Sequence, residues 1–329
     1  MLASSRDLGI YALVWSLLAG LAAQLAVILL ALHRAKIRLR PQWEFPFAVR
    51  EALTSIALPV LISSILGNLV PAFIQLVAAR AGVGAVSAMG YASRLHNAVL
   101  QAIVISVSVI LLPHFARLAA EDRTAELRQS LERVFAATLL FFCAAVVLVS
   151  ASGPRVLTIL LQRGSFTALD VRQVAGVWLA LTSGLLGATW GIFLARLFQA
   201  QRQPWVIARL AVVSIVVNVV LAFTFMPLWG VVGVAAASSL AYTIIMALFH
   251  FRADRTLGRI LTPKALAFGV RAVLGNAVAY GLAVCLGDLL APYGAIPVIL
   301  VQLIVVTVTN MLLARGAPLN LAFHSVFEV

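Results

Sequence analysis

Val206 to His250 reads VIARLAVVSIVVNVVLAFTFMPLWGVVGVAAASSLAYTIIMALFH, and Arg209 is its one charged side chain. A helix needs about 20 apolar residues to cross a bilayer. This stretch therefore holds two crossings, at 206–226 and 230–250, with the break at Pro227–Gly230. In lipid every backbone polar group must be satisfied internally, which leaves helices or a closed barrel. A barrel would show short alternating strands. The runs here are long and unbroken, so they read as helices.

The same pattern recurs outward from this stretch in both directions. The other candidate spans are 9–32, 53–78, 85–112, 134–153, 173–195, 265–287 and 293–314. The fold class is thus all-α, a polytopic membrane bundle of about nine transmembrane helices. The first run is too long for a signal peptide and lacks a basic start, so it reads as a true span. The segment 154–172 is amphipathic and is expected at the interface. His114 to Arg133 mixes charge signs at helical spacing. It reads as a helix on the membrane surface or as a solvated connector.

Composition excludes a soluble domain. The 329 residues are 63% hydrophobic and 11% charged, with mean hydropathy +1.07. Soluble domains are nearer half apolar and a quarter charged. Their surfaces do not tolerate large apolar patches. The net charge of +13 raises the question of nucleic acid, but no polar domain exists to present a basic face. The positions of the charges explain them. With the N-terminus outside and the spans alternating, 18 of the 24 Lys and Arg fall in inside segments and five outside, with Arg94 left within a span. Such an excess sets orientation and suits an anionic inner leaflet. The expected topology is N-out and C-in. The two cysteines, Cys143 and Cys285, lie in apolar runs and read as small core residues rather than a disulfide framework.

No phosphate loop, HExxH or CxxC is present, and all eleven acids sit in loops or at span ends. Paired mid-membrane carboxylates for proton relay or acid/base work are missing. The sequence therefore points to transport or scaffolding, not to an enzyme, and to no cofactor or metal site. Arg94, in Tyr91-Ala92-Ser93-Arg94-Leu95, falls about 12–15 Å into its helix at 1.5 Å per residue. A cation at that depth faces a polar cavity or a partner, and guanidinium is a preferred fork for phosphate. One reading makes it the ligand of an anionic head group. The other makes it a side chain snorkelling to the interface. His96 and Asn97 extend the polar patch. Asn68 and Gln75 share a face of the second span, and Asn218 and Ser214 a face of the sixth. Such amides either join helices or line a path. Arg80 is expected as an interfacial anchor. Gly187 and Gly191, and Ala235 to Ser239, are assigned to close helix packing. Pro59, Pro71 and Pro113 can kink or end helices.

Four stretches resemble the MviN/MurJ family of bacterial flippases for lipid-linked peptidoglycan precursors, within the multidrug/oligolipid/polysaccharide exporter superfamily. They are Pro59 to Pro113 with YASRL at 91–95 and LLP at 111–113, the LQRGSFTALD of 161–170, the RLFQAQRQP of 196–204 followed by Asn218, and the GVVGVAAAS of 230–238. Together they cover most of residues 50–250. The resemblance implies a fourteen-span fold with two lobes around a cationic cavity, of which this chain supplies the sixth span onward. It implies domains at 1–49 (one span and a basic inner loop), 50–255 (a six-span lobe) and 256–329 (two spans with an apolar groove for a lipid tail). It places Arg94 on a cavity arginine that engages pyrophosphate, with Asn68, Gln75, His96 and Asn218 along the path.

The implied partners are an undecaprenyl-pyrophosphate-linked oligosaccharide, membrane lipids and a facing N-terminal lobe, in the bacterial inner membrane. A flippase for O-antigen or exopolysaccharide, or a non-transporting scaffold or fragment, are the alternatives. The family has Pro and then Gly after YAxRL. Here Val99, Gln101, Val104 and Ser108 stand there, which predicts a straighter third span. Family members that hold sodium use acidic side chains between the counterparts of spans two, six and seven. Gln75, Asn218 and Ser238 offer no carboxylate there.

Overall fold

The long apolar runs fold as helices. In the computed structural model residues 11–35, 50–51, 53–164 and 166–315 are described, and none of them is in a strand. Arg6, Lys36, Arg38 and Arg40 of the charge count, Ser165 of the LQRGSFTALD motif and residues 316–329 lie outside the described residues. The chain divides into two units, residues 1–51 and 52–329. In the first, helix α1 (Tyr11–Arg34) has no acidic residue in its first turn and His33 and Arg34 in its last. Cations there complement the helix dipole. Its large apolar side chains, such as Trp15 and Leu25, are exposed.

The second unit holds α2 (Leu58–Ala78), α3 (Ala85–Val99), α4 (Ser106–Ala120), α5 (Thr124–Leu161), α6 (Ala168–Ser183), α7 (Leu185–Ala200), α8 (Pro204–Leu257), α9 (Pro263–Leu290) and α10 (Ala295–Arg315). The 54-residue α8 contains the stretch that decided the fold, and Trp229 (φ −133°) and Gly230 (φ 57°, ψ −136°) break it. Residues eight apart in one straight helix are about 12 Å apart. Yet a Cβ built on Gly233 would lie 2.2 Å from the Phe225 carbonyl oxygen. The two limbs therefore fold back on each other, as the two expected spans require. Only glycine accepts the Gly230 conformation readily.

Across the described residues, six helices are long and apolar enough to cross a membrane, or seven with the bent pair α6 and α7 taken as one span. The two limbs of α8 are merged in that count. Expected span 85–112 forms two 15-residue helices, α3 and α4, joined by the π-helical turn Leu100–Ile105. The absence of proline predicts a straighter helix there; the structure places the π-helical turn at this point of the ladder.

Three further differences follow from continuity of the helix ladder. The stretch 114–133 is no separate surface helix. α4 runs to Ala120, and α5 starts at Thr124 and continues unbroken for 38 residues. Arg123 in the turn between them is forked by Glu126 at 2.6 and 2.7 Å and Glu121 at 2.8 Å. Those carboxylates hold its guanidinium pKa above even its usual high value. The first half of 154–172 is the end of α5, which carries Pro154 without stopping. Pro71 and Pro113 likewise sit inside helices. Pro59 lies in the first turn of α2, directly after the π-helical turn Leu53–Ala57, so it interrupts the ladder without ending the helix.

Two larger cores, and a smaller cluster of Leu139, Cys143 and Ala272 between α5 and α9, hold the unit. One larger core joins Val77, Ala88, Met89 and Ala92 to Val174, Val177, Ala222 and Val234. The other joins Phe115, Leu131, Trp190, Leu197, Phe198 and Phe249. The second limb of α8 meets α6 and α7 closely. A Cβ on Gly184 would lie 2.5 Å from Ser239 Cα, and one on Gly187 2.8 Å from the Thr243 nitrogen. Gly191 has open space, so the close approach uses Gly184 and Gly187. Cys143 is buried but Cys285 is exposed, so the latter is not a core residue. It lies on the outward face of α9, which carries Val270, Leu274, Val278, Leu282 and Leu289. Such faces are stable against lipid. The chain is a polytopic α-helical membrane protein.

Candidate functional site

The site is built on α3. Gly84 precedes it in a left-handed conformation (φ 79°), and the helix then presents alternating faces. Ala85, Ala88, Met89 and Ala92 are buried in the core, with His96 one turn on at 7% exposure. Gly84, Ser87, Tyr91 and Arg94 recur every three or four residues, and Tyr91 and Arg94 are exposed. Arg94 and His96 are about 200° apart around the helix. The structure thus separates them: Arg94 projects outward and His96 packs inward. Arg94 makes no ion pair with any described residue. It stands about 15 Å along α3 from Gly84 and so keeps its full fork of donors for a ligand.

Asn68 and Gln75 are both exposed on α2. The Asn68 amide donates to the Ser64 carbonyl at 2.9 Å. Asn218, in the first limb of α8, is buried. Its Nδ2 donates to the Ser214 carbonyl at 3.1 Å, while its Oδ1 has no partner among the described residues. The Ser238 hydroxyl donates to the Val234 carbonyl at 3.1 Å. This set is neutral, and cations prefer carboxylate among their oxygens. The α2 helix meets α8 through Phe73 and Phe223, whose ring centroids are 6.1 Å apart. Arg80 lies over the Phe223 ring at 6.0 Å, so the expected anchor also stacks on an aromatic face.

The sequence did not single out the cleft beside Tyr91. Gly84, Ser87 and Tyr91 of α3 face Phe166, Asp170 and Gln173 at the start of α6 across a space of about 250 Å³. Tyr91 and Phe166 meet edge to face with centroids 5.6 Å apart. The local cause is a capping box. The Thr167 side chain accepts from the Asp170 backbone N–H, and Asp170 Oδ2 accepts from the Thr167 backbone N–H at 2.7 Å. That box fixes the entry of α6 and turns Phe166 toward α3. The spacing Thr167-x-x-Asp170 was the available signal.

Polar residues joining α5, α9 and α10 were also missed. The Ser152 hydroxyl donates to Gln302, whose amide donates to the Ala283 carbonyl at 3.0 Å. The amides of Asn276 and Asn310 donate to each other's oxygens at 3.3 and 3.1 Å. Thr262 donates to Glu132. These bonds hold the last two helices on α5.

A family model described as "Lipid II flippase MurJ" matches residues 1–309. Among curated relatives, "Probable lipid II flippase MurJ" of Vibrio cholerae serotype O1 is 26% identical over 76% of this chain and 48% of its own length. The protein of the same description from Rhizobium meliloti is 31% identical over 70% of this chain and 43% of its own. The chain thus spans about half the length of the curated relatives it matches. A solved structure titled "Lipid II flippase MurJ, inward closed conformation" shares the fold. Its TM-score is 0.64 at 18% identity, over 83% of this chain and 56% of that one. With the family model covering nearly the whole described chain, this protein belongs to the MurJ family.

Proposed function

We propose that the chain forms the C-terminal part of a flippase that moves a polyprenyl-pyrophosphate-linked peptidoglycan precursor across the bacterial inner membrane. The observation that carries this reading is Arg94. An exposed guanidinium projects from α3, ten residues into the expected third span, with no ion-pair partner among the described residues. That arrangement is costly unless an anion or water-lined cavity faces it. Pyrophosphate supplies two phosphate groups suited to the planar fork. The exposed apolar faces of α9 and α10 suit the lipid tail, and Asn68 and Gln75 suit a hydrated path. Alternating access needs a facing lobe to close against this one, matching the greater length of the relatives.

Complementation of a depletable lipid II flippase tests this. The chain is expressed alone and with the first lobe of a family member, and insertion is verified in both arms. Rescue with the added lobe that disappears on Arg94→Ala supports the reading. Growth that is indifferent to Arg94→Ala, or no rescue despite insertion, overturns it.

A further inference from the structure

We propose that the cleft between α3 and the start of α6 is a subsite for a sugar ring of the lipid-linked substrate, next to the pyrophosphate position at Arg94. This rests on the flippase reading above. Three observations on the cleft point to a sugar. Its walls combine an aromatic pair, Tyr91 and Phe166, with the polar groups of Ser87, Asp170 and Gln173. That mixture of an apolar platform and a few converging donors and acceptors matches a ring carrying many hydroxyls. The carboxylate argues against a second phosphate there. Asp170 uses Oδ2 on the Thr167 backbone and hydroxyl, and Oδ1 remains to accept from a ligand hydroxyl.

Size and register agree. A space of about 250 Å³ is below the range of whole-ligand pockets, so it takes one ring-sized group and not an entire head group. Tyr91 precedes Arg94 by three residues on the same face, about 4.5 Å along the axis. A phosphate held by Arg94 would bring the attached sugar to the Tyr91 ring. The charge count puts this end of α3 and α6 outside. The cleft therefore receives the sugar in the outward-facing state.

The test uses the full chain, co-expressed with the first lobe of a family member, in lipid nanodiscs, and two ligands. One is undecaprenyl pyrophosphate. The other is the same lipid carrying an N-acetylated disaccharide and no peptide. The sugar-bearing lipid should bind more tightly, and Gln173→Leu with Tyr91→Phe should erase the difference, on the order of tenfold for one or two lost hydrogen bonds. Ser87→Ala, a smaller change on an exposed face, should erase part of it. Arg94→Ala should weaken both lipids alike. Equal binding of the two lipids, or a preference that survives the cleft substitutions, overturns the subsite and leaves the Arg94 reading intact. Failure of both lipids to bind overturns the flippase reading and the subsite with it.

Discussion

The Ser152 hydroxyl donates a 2.6 Å hydrogen bond to the side-chain oxygen of Gln302, 150 residues later in the chain, and both side chains are buried. The Gln302 amide uses its other end on the Ala283 carbonyl at 3.0 Å. One side chain thus ties α5, α9 and α10 together. Away from water, a polar group has no alternative partner, so the pairing fixes which faces meet.

Gln302→Leu removes both bonds and leaves the Ser152 hydroxyl buried without its partner. It should cost about 1–2 kcal/mol. Thermal unfolding in detergent would register this as a lower midpoint. Ser152→Ala with Gln302→Leu should recover part of the loss, because no polar group is then stranded.

Gly184→Ala should also destabilise, through overpacking. The new Cβ would meet Ser239 Cα at 2.5 Å, backbone that cannot swing away. A cost of about 1–3 kcal/mol is expected. Gly191→Ala, with open space around it, should leave the melting point unchanged. Equal effects at the two positions would refute the packing described here.

At the α8 hairpin, Gly230→Ala places a Cβ on φ 57°, ψ −136°. Such a conformation costs on the order of 1–3 kcal/mol for other residues. Lower yield of inserted protein and a lower melting point should follow. Faster amide exchange should be confined at first to the 225–235 turn.

Thr167→Val removes the hydroxyl of the capping box. The expected cost is about 1 kcal/mol. Hydrogen exchange should accelerate at the first turn of α6. Because Phe166 would lose its fixed approach to Tyr91, the preference for the sugar-bearing lipid should fall as well.

Arg94→Ala should abolish complementation without lowering thermal stability, since the side chain is exposed and makes no ion pair with a described residue. Arg94→Lys keeps the charge but loses the bidentate fork. It should retain partial activity with weaker binding of the pyrophosphate lipid.

The spans themselves were legible in the sequence. Apolar length, Pro227–Gly230 and the distribution of Lys and Arg act locally, and lipid leaves long unbroken apolar runs no choice but helix. So were Arg94 on α3 and the close packing near Gly187. Tertiary structure alone decided what each helix face meets. Periodicity places Tyr91 and Arg94 on one stripe and His96 opposite, but it cannot name the neighbour. Phe166 and Asp170 come to Tyr91, and Gln302 to Ser152, through contacts between distant segments. The π-helical turn at Leu100–Ile105 was hidden for the same reason. Its stability depends on the surrounding packing, while the residues within it read locally as ordinary apolar helix.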